Sequence, residues 1–205
     1  MSFSIYQLKP RFQQLLRPAL AALARAGVTP NQITLGAMAL SMAYGLALAL
    51  DPGNAALWCG PPLFLLLRMA LNAIDGMLAT ATGNKTALGA LLNELCDQLS
   101  DAALYLPFAL AAGIQPVVVV LAVVAALLTE FAGVLVQALG APRGFEGPMG
   151  KSDRAFAFGV VALLIGTGVA PIWANGVLVL VLLLSALTVF NRLRRGLRPC
   201  APATR

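Results

Sequence analysis

The sequence predicts an all-α integral membrane protein with six transmembrane helices plus an N-terminal amphipathic interfacial helix. Of the 205 residues, 60% are hydrophobic and 11% are charged, whereas a soluble domain carries roughly 25% charged residues. Apolar runs near the length of about 20 residues that crosses a hydrocarbon core of about 30 Å recur along the chain. We place the six spans near residues 31–50, 57–82, 86–112, 115–139, 153–170 and 173–192.

The basic residues predict how these spans are oriented. Apart from Arg68, which lies in the second predicted span, they fall in four groups, which are Lys9, Arg11, Arg17 and Arg25; Lys85; Arg143, Lys151 and Arg154; and Arg192, Arg194, Arg195, Arg198 and Arg205. The loops around residues 51–54, 113–116 and 168–171 contain no Lys or Arg. By the positive-inside rule, both termini and every basic loop are cytosolic. The net charge of +6 then reflects orientation and contact with anionic lipid headgroups, and no nucleic-acid partner is expected.

The N-terminal segment divides the chain into residues 1–30, a juxtamembrane amphipathic helix, and residues 31–205, the membrane domain. Apolar residues recur at helical spacing among basic and amide residues before residue 25, which suits a helix lying in the headgroup plane. Pro18 is expected to kink this helix. Thr29 is expected to cap the first span, with Pro30 at its first helical position. No cleavable signal peptide is predicted, because the opening residues are basic and interrupted by prolines.

Cysteine and histidine usage limits the chemistry that the chain can perform. Cys59, Cys96 and Cys200 show no metal-site spacing, and their odd number predicts free thiols. The chain contains no histidine, which excludes imidazole catalysis and histidine-based metal sites. Any metal must therefore be held mainly by oxygen, which favours Mg²⁺, Mn²⁺ or Ca²⁺ over zinc.

The stretch from residue 72 to residue 101 places carboxylates inside sequence that is otherwise hydrophobic enough to span a membrane. It contains four of the eight acidic residues, which are Asp75, Glu94, Asp97 and Asp101. Charge in lipid is costly, so such a stretch indicates a functional site. Each of the second and third spans has one polar face, and the second carries Arg68, Asn72, Asp75 and Ala79 on one stripe.

The two polar faces are expected to meet. A short turn near residues 82–85 makes the second and third spans antiparallel neighbours. Glu130 on the fourth span lies at a similar predicted depth. Several carboxylates side by side require water or a bound cation. The sequence therefore predicts a polar cavity that opens to the cytosol and holds a divalent ion.

This stretch resembles the signature of the CDP-alcohol phosphatidyltransferases, D-x2-D-G-x2-A-R-x8-G-x3-D-x3-D. Aligned without gaps, the chain matches it at Asp75, Gly76, Ala79, Gly89 and Asp97. It departs from it with Asn72 and Asn93 at the first and third Asp positions and with Thr80 at the Arg position. The two asparagines lower the charge of the ligand set from −4 to −2. This form resembles a divergent bacterial branch of the family.

The resemblance implies an activity. A family member transfers a phosphatidyl group from a CDP-linked lipid, such as CDP-diacylglycerol, to an alcohol acceptor and releases CMP during phospholipid biosynthesis. The resemblance also implies one or two Mg²⁺ or Mn²⁺ ions, a homodimer, and a place in the bacterial cytoplasmic membrane. It does not identify the acceptor alcohol.

The resemblance also implies roles for individual residues. The expected metal ligands are Asp75, Asp97, Asn72, Asn93 and Asp101. Asp75 and Asp97 are the expected catalytic residues, and Asp97 is the expected base for the acceptor hydroxyl. The expected substrate-binding residues are Gly76, Ala79, Thr80, Lys85, Thr86, Gly89, Asn31, Thr34, Lys151 and Arg154. Lys151 and Arg154 belong to a loop similar to one that binds the acceptor's phosphate in inositol-phosphate-using relatives, although positive-inside charge explains them too.

Two other functions stay open on the sequence. Asn72 and Asn93 are compatible with a catalytically weakened relative that binds CDP-lipid or a divalent cation without turning it over. A small cation-coupled transporter is the other alternative, with Asp75, Glu94, Asp97 and Glu130 as a cation path. Such a transporter requires access from both faces of the membrane, whereas the uncharged outer loops predict access from one.

Overall fold

The computed structural model describes residues 9–145 and 147–197, and every regular element in these ranges is helical. The elements are α1 (Lys9–Arg25), α2 (Pro30–Leu50), α3 (Ala55–Cys59), α4 (Pro61–Ala81), α5 (Ala87–Tyr105), a 3₁₀ helix (Leu106–Leu110), α6 (Pro116–Ala138), α7 (Lys151–Gly166) and α8 (Pro171–Gly196). The all-helical prediction is confirmed. Arg198, Cys200, Arg205 and the first eight residues of the predicted N-terminal segment lie outside the described residues, as does Glu146.

Within the described part of the chain, four helices are long and apolar enough to cross a membrane, and each of them begins with a proline. They are α2, α4, α6 and α8. Proline suits the first helical position because its missing N–H would have no partner there. At the start of α2, the Gln32 N–H donates to Thr29 Oγ1 while the Thr29 N–H donates to Gln32 Oε1. This reciprocal pair is a capping box, and it confirms Thr29 as the N-cap.

The other two predicted spans differ from the four in composition or length. Helix α5 contains Glu94, Asp97 and Asp101, and α7 has 16 residues, which rise only about 24 Å.

Two span predictions also need correction. The span predicted over 57–82 is interrupted at Gly60, ahead of Pro61. The span predicted over 86–112 ends in a 3₁₀ helix that contains Pro107, because proline cannot continue α-helical hydrogen bonding. The count of six spans stays a prediction.

The chain forms two compact units. The first comprises residues 1–43 and 66–100, and the second comprises residues 44–65 and 101–205. In the first unit, the buried side chains of Ile33, Ile74 and Leu78 form a core against which α1 packs Leu16, Leu20 and Leu23. Leu15, on another face of α1, is 81% exposed. Helix α1 therefore has one packed apolar face, and its place in the headgroup plane stays a prediction, as does the domain boundary at residue 30.

An aromatic cluster and close backbone packing stabilise the second unit. Tyr105 stacks on Phe158 with ring centroids 3.9 Å apart, and Phe108 meets Phe158 edge-on at 5.3 Å. Gly45 lies against the backbone of Ala103, so that a Cβ at this position would overlap the Ala103 carbonyl oxygen. Two cysteines of the described part, Cys59 and Cys96, are free thiols as expected.

Candidate functional site

The polar faces of α4 and α5 meet at Asp97. The Asn72 side chain donates from Nδ2 to Asp97 Oδ1 over 2.8 Å. Arg68 donates from Nη2 to the Asp97 backbone carbonyl over 2.9 Å, and the same nitrogen lies 3.6 Å from Asp97 Oδ1. Arg68 and Asn72 are one helical turn apart on α4, which lets both reach the same residue of α5. This contact confirms the prediction that the polar faces of the second and third spans meet.

Asp75 follows on the same stripe of α4 and is buried, with 4% of its surface exposed. The Thr34 hydroxyl donates to Asp75 Oδ2 over 2.8 Å and is 3.2 Å from the Pro30 carbonyl oxygen. The capped N-terminal turn of α2 therefore brings Thr34 against the carboxylate. Asn93, one turn before Asp97 on α5, is half-buried.

A second group of expected substrate-binding residues gathers at the N-terminal end of α5. Thr86 Oγ1 accepts a hydrogen bond from the Gly89 N–H over 3.0 Å and so caps the helix. A Cβ on Gly89 would lie 3.1 Å from Asn31 Oδ1 and 3.1 Å from Thr86 Oγ1. Glycine at position 89 therefore lets these two polar side chains approach the helix closely.

The last turns of α4 present an open surface. Gly76 is exposed, and a Cβ built on it meets no atom within 4 Å. Within a helix, glycine costs about 1 kcal/mol relative to alanine, and packing among the described residues does not require it here. The Thr80 hydroxyl donates to the Gly76 carbonyl over 2.9 Å. Ala79 is half-buried, and Lys85 is exposed in the turn that follows.

The donor chemistry of this region suits a hard cation. Asp75, Asp97, Asn72 and Asn93 offer carboxylate and amide oxygens, which are the ligands that Mg²⁺ and Mn²⁺ prefer. Within residues 9–145 and 147–197, no three His, Cys, Asp or Glu side chains come together in a group that could hold a metal. Any ion at this site would thus depend on the asparagine oxygens as well as on two carboxylates.

The second unit contains a buried cluster of charged side chains centred on Glu130. Arg154 is fully buried and donates from Nη2 to Glu130 Oε1 over 2.9 Å. Its Nη1 donates to Thr129 Oγ1 over 2.7 Å and to the Met149 carbonyl over 3.2 Å. Its Nη2 also lies 3.7 Å from Asp101 Oδ2. Asp101, expected as a metal ligand, therefore lies against a guanidinium group.

Two further arginines reach the same carboxylate. Arg192 Nη1 lies 3.6 Å from Glu130 Oε1 and donates to the Thr129 carbonyl, and Arg143 Nη2 lies 3.5 Å from Glu130 Oε2. By sequence, Arg192 is one of the membrane-orienting charges, and no sequence signal marks Thr129. The available signal was Glu130 itself, a lone acid in an apolar helix that requires a cationic partner. Lys151 is half-buried at the start of α7.

Comparison with known proteins agrees with the signature in the second and third predicted spans. The model of the CDP-alcohol phosphatidyltransferase family matches residues 27–190. Inner membrane protein YnbA of Escherichia coli (strain K12) is 46% identical over 170 residues, covering 83% of each chain. A phosphatidylinositol phosphate synthase of Mycolicibacterium smegmatis is 30% identical over 174 residues, covering 84% of this chain and 76% of the relative.

A solved structure shares the fold. The crystal structure of Mycobacterium tuberculosis phosphatidylinositol phosphate synthase with CDP-DAG bound has a TM-score of 0.75 at 20% sequence identity, and the match covers 92% of this chain and 99% of that one. The same enzyme in complex with manganese and citrate has a TM-score of 0.74. The family match covers most of the chain, including every residue of the α4 and α5 site, and the chain therefore belongs to the CDP-alcohol phosphatidyltransferase family.

Proposed function

We propose that this chain catalyses transfer of a phosphatidyl group from CDP-diacylglycerol or a similar CDP-linked lipid to an alcohol, with release of CMP. The contact that carries the proposal joins Asn72 on α4 to Asp97 on α5, beside the buried pair of Thr34 and Asp75. Asn72, Asp75 and Asp97 occupy positions of the family signature, and Thr34 contacts Asp75. Membership of the family favours this reaction over a cation-coupled transporter.

In the proposed reaction, the acceptor hydroxyl attacks the β-phosphorus of the CDP-lipid. A new phosphorus–oxygen bond forms to the alcohol, the bond to the CMP oxygen breaks, and the hydroxyl proton passes to Asp97. Asp75, Asp97, Asn72 and Asn93 would hold Mg²⁺ or Mn²⁺, which supplies positive charge opposite the diphosphate. Asn72 orients the Asp97 carboxylate, and Thr34 orients that of Asp75.

The nucleotide would lie along the open surface of α4. Gly76 and Ala79 leave room for a close approach to the helix, because neither has a bulky side chain. Thr80, Lys85, Thr86 and Gly89 border the following turn, and Asn31 contacts the same end of α5. Lys85 is exposed and can meet a phosphate group in place of the arginine that the signature has at position 80.

The acceptor would be bound on the side of the loop that precedes α7. Of the two residues expected to bind the acceptor, Lys151 is the proposed contact and Arg154 the proposed support of the loop. Arg154 already donates to Glu130, Thr129 and the Met149 carbonyl, so its proposed part is to hold the loop in position. Lys151 is the cation of this pair with partial exposure. The identity of the alcohol is left to experiment.

We further propose a bacterial inner membrane location with both termini in the cytosol. The similarity to an inner membrane protein of Escherichia coli supports the location, and the distribution of Lys and Arg supports the orientation. In this arrangement, α5 and α7 also cross the membrane, which gives six spans, and α1 lies in the headgroup plane. The active form is proposed to be a homodimer.

A catalytically weakened binding protein is the second candidate. Asn72 and Asn93 remove two negative charges from the ligand set, and Arg68 lies 3.6 Å from the Asp97 carboxylate. Both features weaken the attraction for divalent ions. Such a protein would bind CDP-diacylglycerol without releasing CMP.

The deciding experiment measures CMP release by the full chain in lipid nanodiscs. The reaction contains CDP-diacylglycerol, Mg²⁺ or Mn²⁺ and a pool of polyol and phosphorylated polyol acceptors. Metal-dependent release that Asp97→Asn abolishes supports the transferase, and lipid mass spectrometry then identifies the product. The matched control is Asp51→Asn, since Asp51 lies in a turn and accepts a hydrogen bond from Asn54. Retained CDP-diacylglycerol binding without CMP release under any of these conditions supports the binding protein instead.

A further inference from the structure

We propose that Arg68 is a fixed positive charge beside the metal ligands, so that this chain binds one divalent ion rather than two. The inference rests on the proposed function for the identity of the site, and it assigns Arg68 a charge-balancing part beside the metal ligands. Arg68 lies outside the signature positions and was not among the expected site residues.

The contacts of Arg68 place its charge beside a metal ligand. The residue is 4% exposed, and its Nη2 donates to the Asp97 carbonyl oxygen while lying 3.6 Å from Asp97 Oδ1. A guanidinium group stays protonated in proteins, so this positive charge is permanent. The backbone hydrogen bond holds it in place independently of the carboxylate.

The charge balance of the ligand set follows from these residues. Asp75 and Asp97 contribute two negative charges, Asn72 and Asn93 contribute none, and Arg68 contributes one positive charge, so these five side chains total −1. Asp101 is not counted, because its charge is balanced by Arg154. One divalent ion changes this total to +1, and two ions change it to +3. A charge of +3 among apolar helices is costly without further anions. One ion leaves a modest positive charge that complements a diphosphate.

The side chain of Asn72 supports the same conclusion. Its amide nitrogen donates to Asp97 Oδ1, and Arg68 Nη2 lies 3.6 Å from the same oxygen. The Asn72 amide donates to this oxygen, and the Arg68 charge lies close to it, so both reduce its capacity to bind a second cation.

The test counts Mn²⁺ ions bound by the metal-stripped full chain in phosphatidylcholine nanodiscs, using electron paramagnetic resonance. The expected result is one bound Mn²⁺ per chain with a spectrum free of coupling between ions. Two ions at the separation of about 3.5–4 Å found in two-metal sites would be magnetically coupled. A count of two, or of zero, in the wild-type chain would overturn the proposal.

Arg68→Gln tests whether the charge of Arg68 weakens Mn²⁺ binding. Because the substitution removes a like charge near the ion, Mn²⁺ is expected to bind roughly tenfold more tightly or better. Arg68→Lys keeps the charge and is expected to bind Mn²⁺ within about threefold of the wild type, a difference of under 1 kcal/mol. A purely structural arginine would leave the affinity unchanged or lower it on substitution, and either result in a folded Arg68→Gln protein contradicts the inference.

The ion count also separates this inference from the proposed function. It needs neither CDP-lipid nor turnover, so one bound Mn²⁺ in a chain that releases no CMP supports the inference while the transferase fails. If Arg68→Gln does not fold, the wild-type count decides alone.

Discussion

Arg154 and Glu130 form a buried ion pair in which Nη2 of the guanidinium donates to Oε1 of the carboxylate over 2.9 Å. Arg154 also donates to Thr129 of α6 and to the Met149 carbonyl that precedes α7. Glu130 in turn lies within 3.6 Å of Arg192 on α8. One carboxylate thus links three helices of the second unit.

Replacing Glu130 with glutamine is expected to destabilise the protein strongly. The substitution leaves buried guanidinium groups without their shared counter-charge, and breaking a buried pair in this way costs about 3–5 kcal/mol. The melting temperature in detergent micelles measures the loss. A melting temperature within 2–3 °C of the wild type, a shift of roughly 1 kcal/mol or less for a chain of this size, would show that the cluster carries little of the stability.

Two arginines on α8 offer a matched comparison. Arg192 is 2% exposed and donates to the Thr129 carbonyl, whereas Arg194 is exposed. Arg192→Gln is expected to lower stability by about 2 kcal/mol or more, because a buried charged hydrogen bond is lost. Arg194→Gln is expected to change it by no more than about 0.5 kcal/mol. Equal shifts in melting temperature for the two variants would argue against a specific role of the cluster.

Gly76→Ala separates stability from activity. A Cβ at position 76 meets no described atom, so alanine is expected to stabilise α4 by about 0.5–1 kcal/mol. The same methyl group lies where the nucleotide is proposed to approach, and a crowded contact of this kind costs about 1–3 kcal/mol. CMP release is therefore expected to fall roughly tenfold while the melting temperature rises.

The control for this variant is Gly176→Ala on α8. Position 176 is also exposed, and a Cβ there also meets nothing within 4 Å. It should show the same gain in stability with unchanged CMP release. If Gly76→Ala keeps full activity, the nucleotide does not approach α4 at this position.

Thr34→Val tests whether the start of α2 orients Asp75. Valine has nearly the same shape but removes the hydroxyl that donates to Asp75 Oδ2 over 2.8 Å. Loss of a hydrogen bond to a charged group costs about 1.5–3 kcal/mol, so both the melting temperature and the rate of CMP release are expected to decrease. Thr167→Val is the control, since its exposed hydroxyl donates to the Leu163 carbonyl one turn earlier on α7. Wild-type rates for Thr34→Val would contradict the positioning role.

Local sequence signals predicted the helices and their ends well. Thr29 and Pro30 correctly predicted the start of α2, because helix capping depends on residues that are close together in the chain. The thiols of Cys59 and Cys96 are free, as the odd number of cysteines and their lack of metal-site spacing predicted. Predictions over longer apolar runs were less accurate, since Gly60 and Pro107 interrupt two of them.

The candidate site was predicted in part. Helical spacing placed Asn72 and Asp75 on one stripe, and the structure joins Asn72 to Asp97. Spacing could not tell that Arg68 would donate to the Asp97 backbone or that Asp101 would face Arg154. A long arginine side chain reaches several positions on a neighbouring helix, so its partner depends on how the helices pack.

By itself the sequence determined the helical membrane class, the helix caps, the family signature and the asparagines that replace two of its aspartates. These features follow from composition, periodicity and short spacings, which are local properties of the chain. Only the tertiary structure decided which charges neutralise one another, namely Arg68 with Asp97 and Arg154 with Glu130. The reason is physical: in a low-dielectric interior each buried charge requires a partner, and packing between helices distant in sequence selects which partner lies within reach.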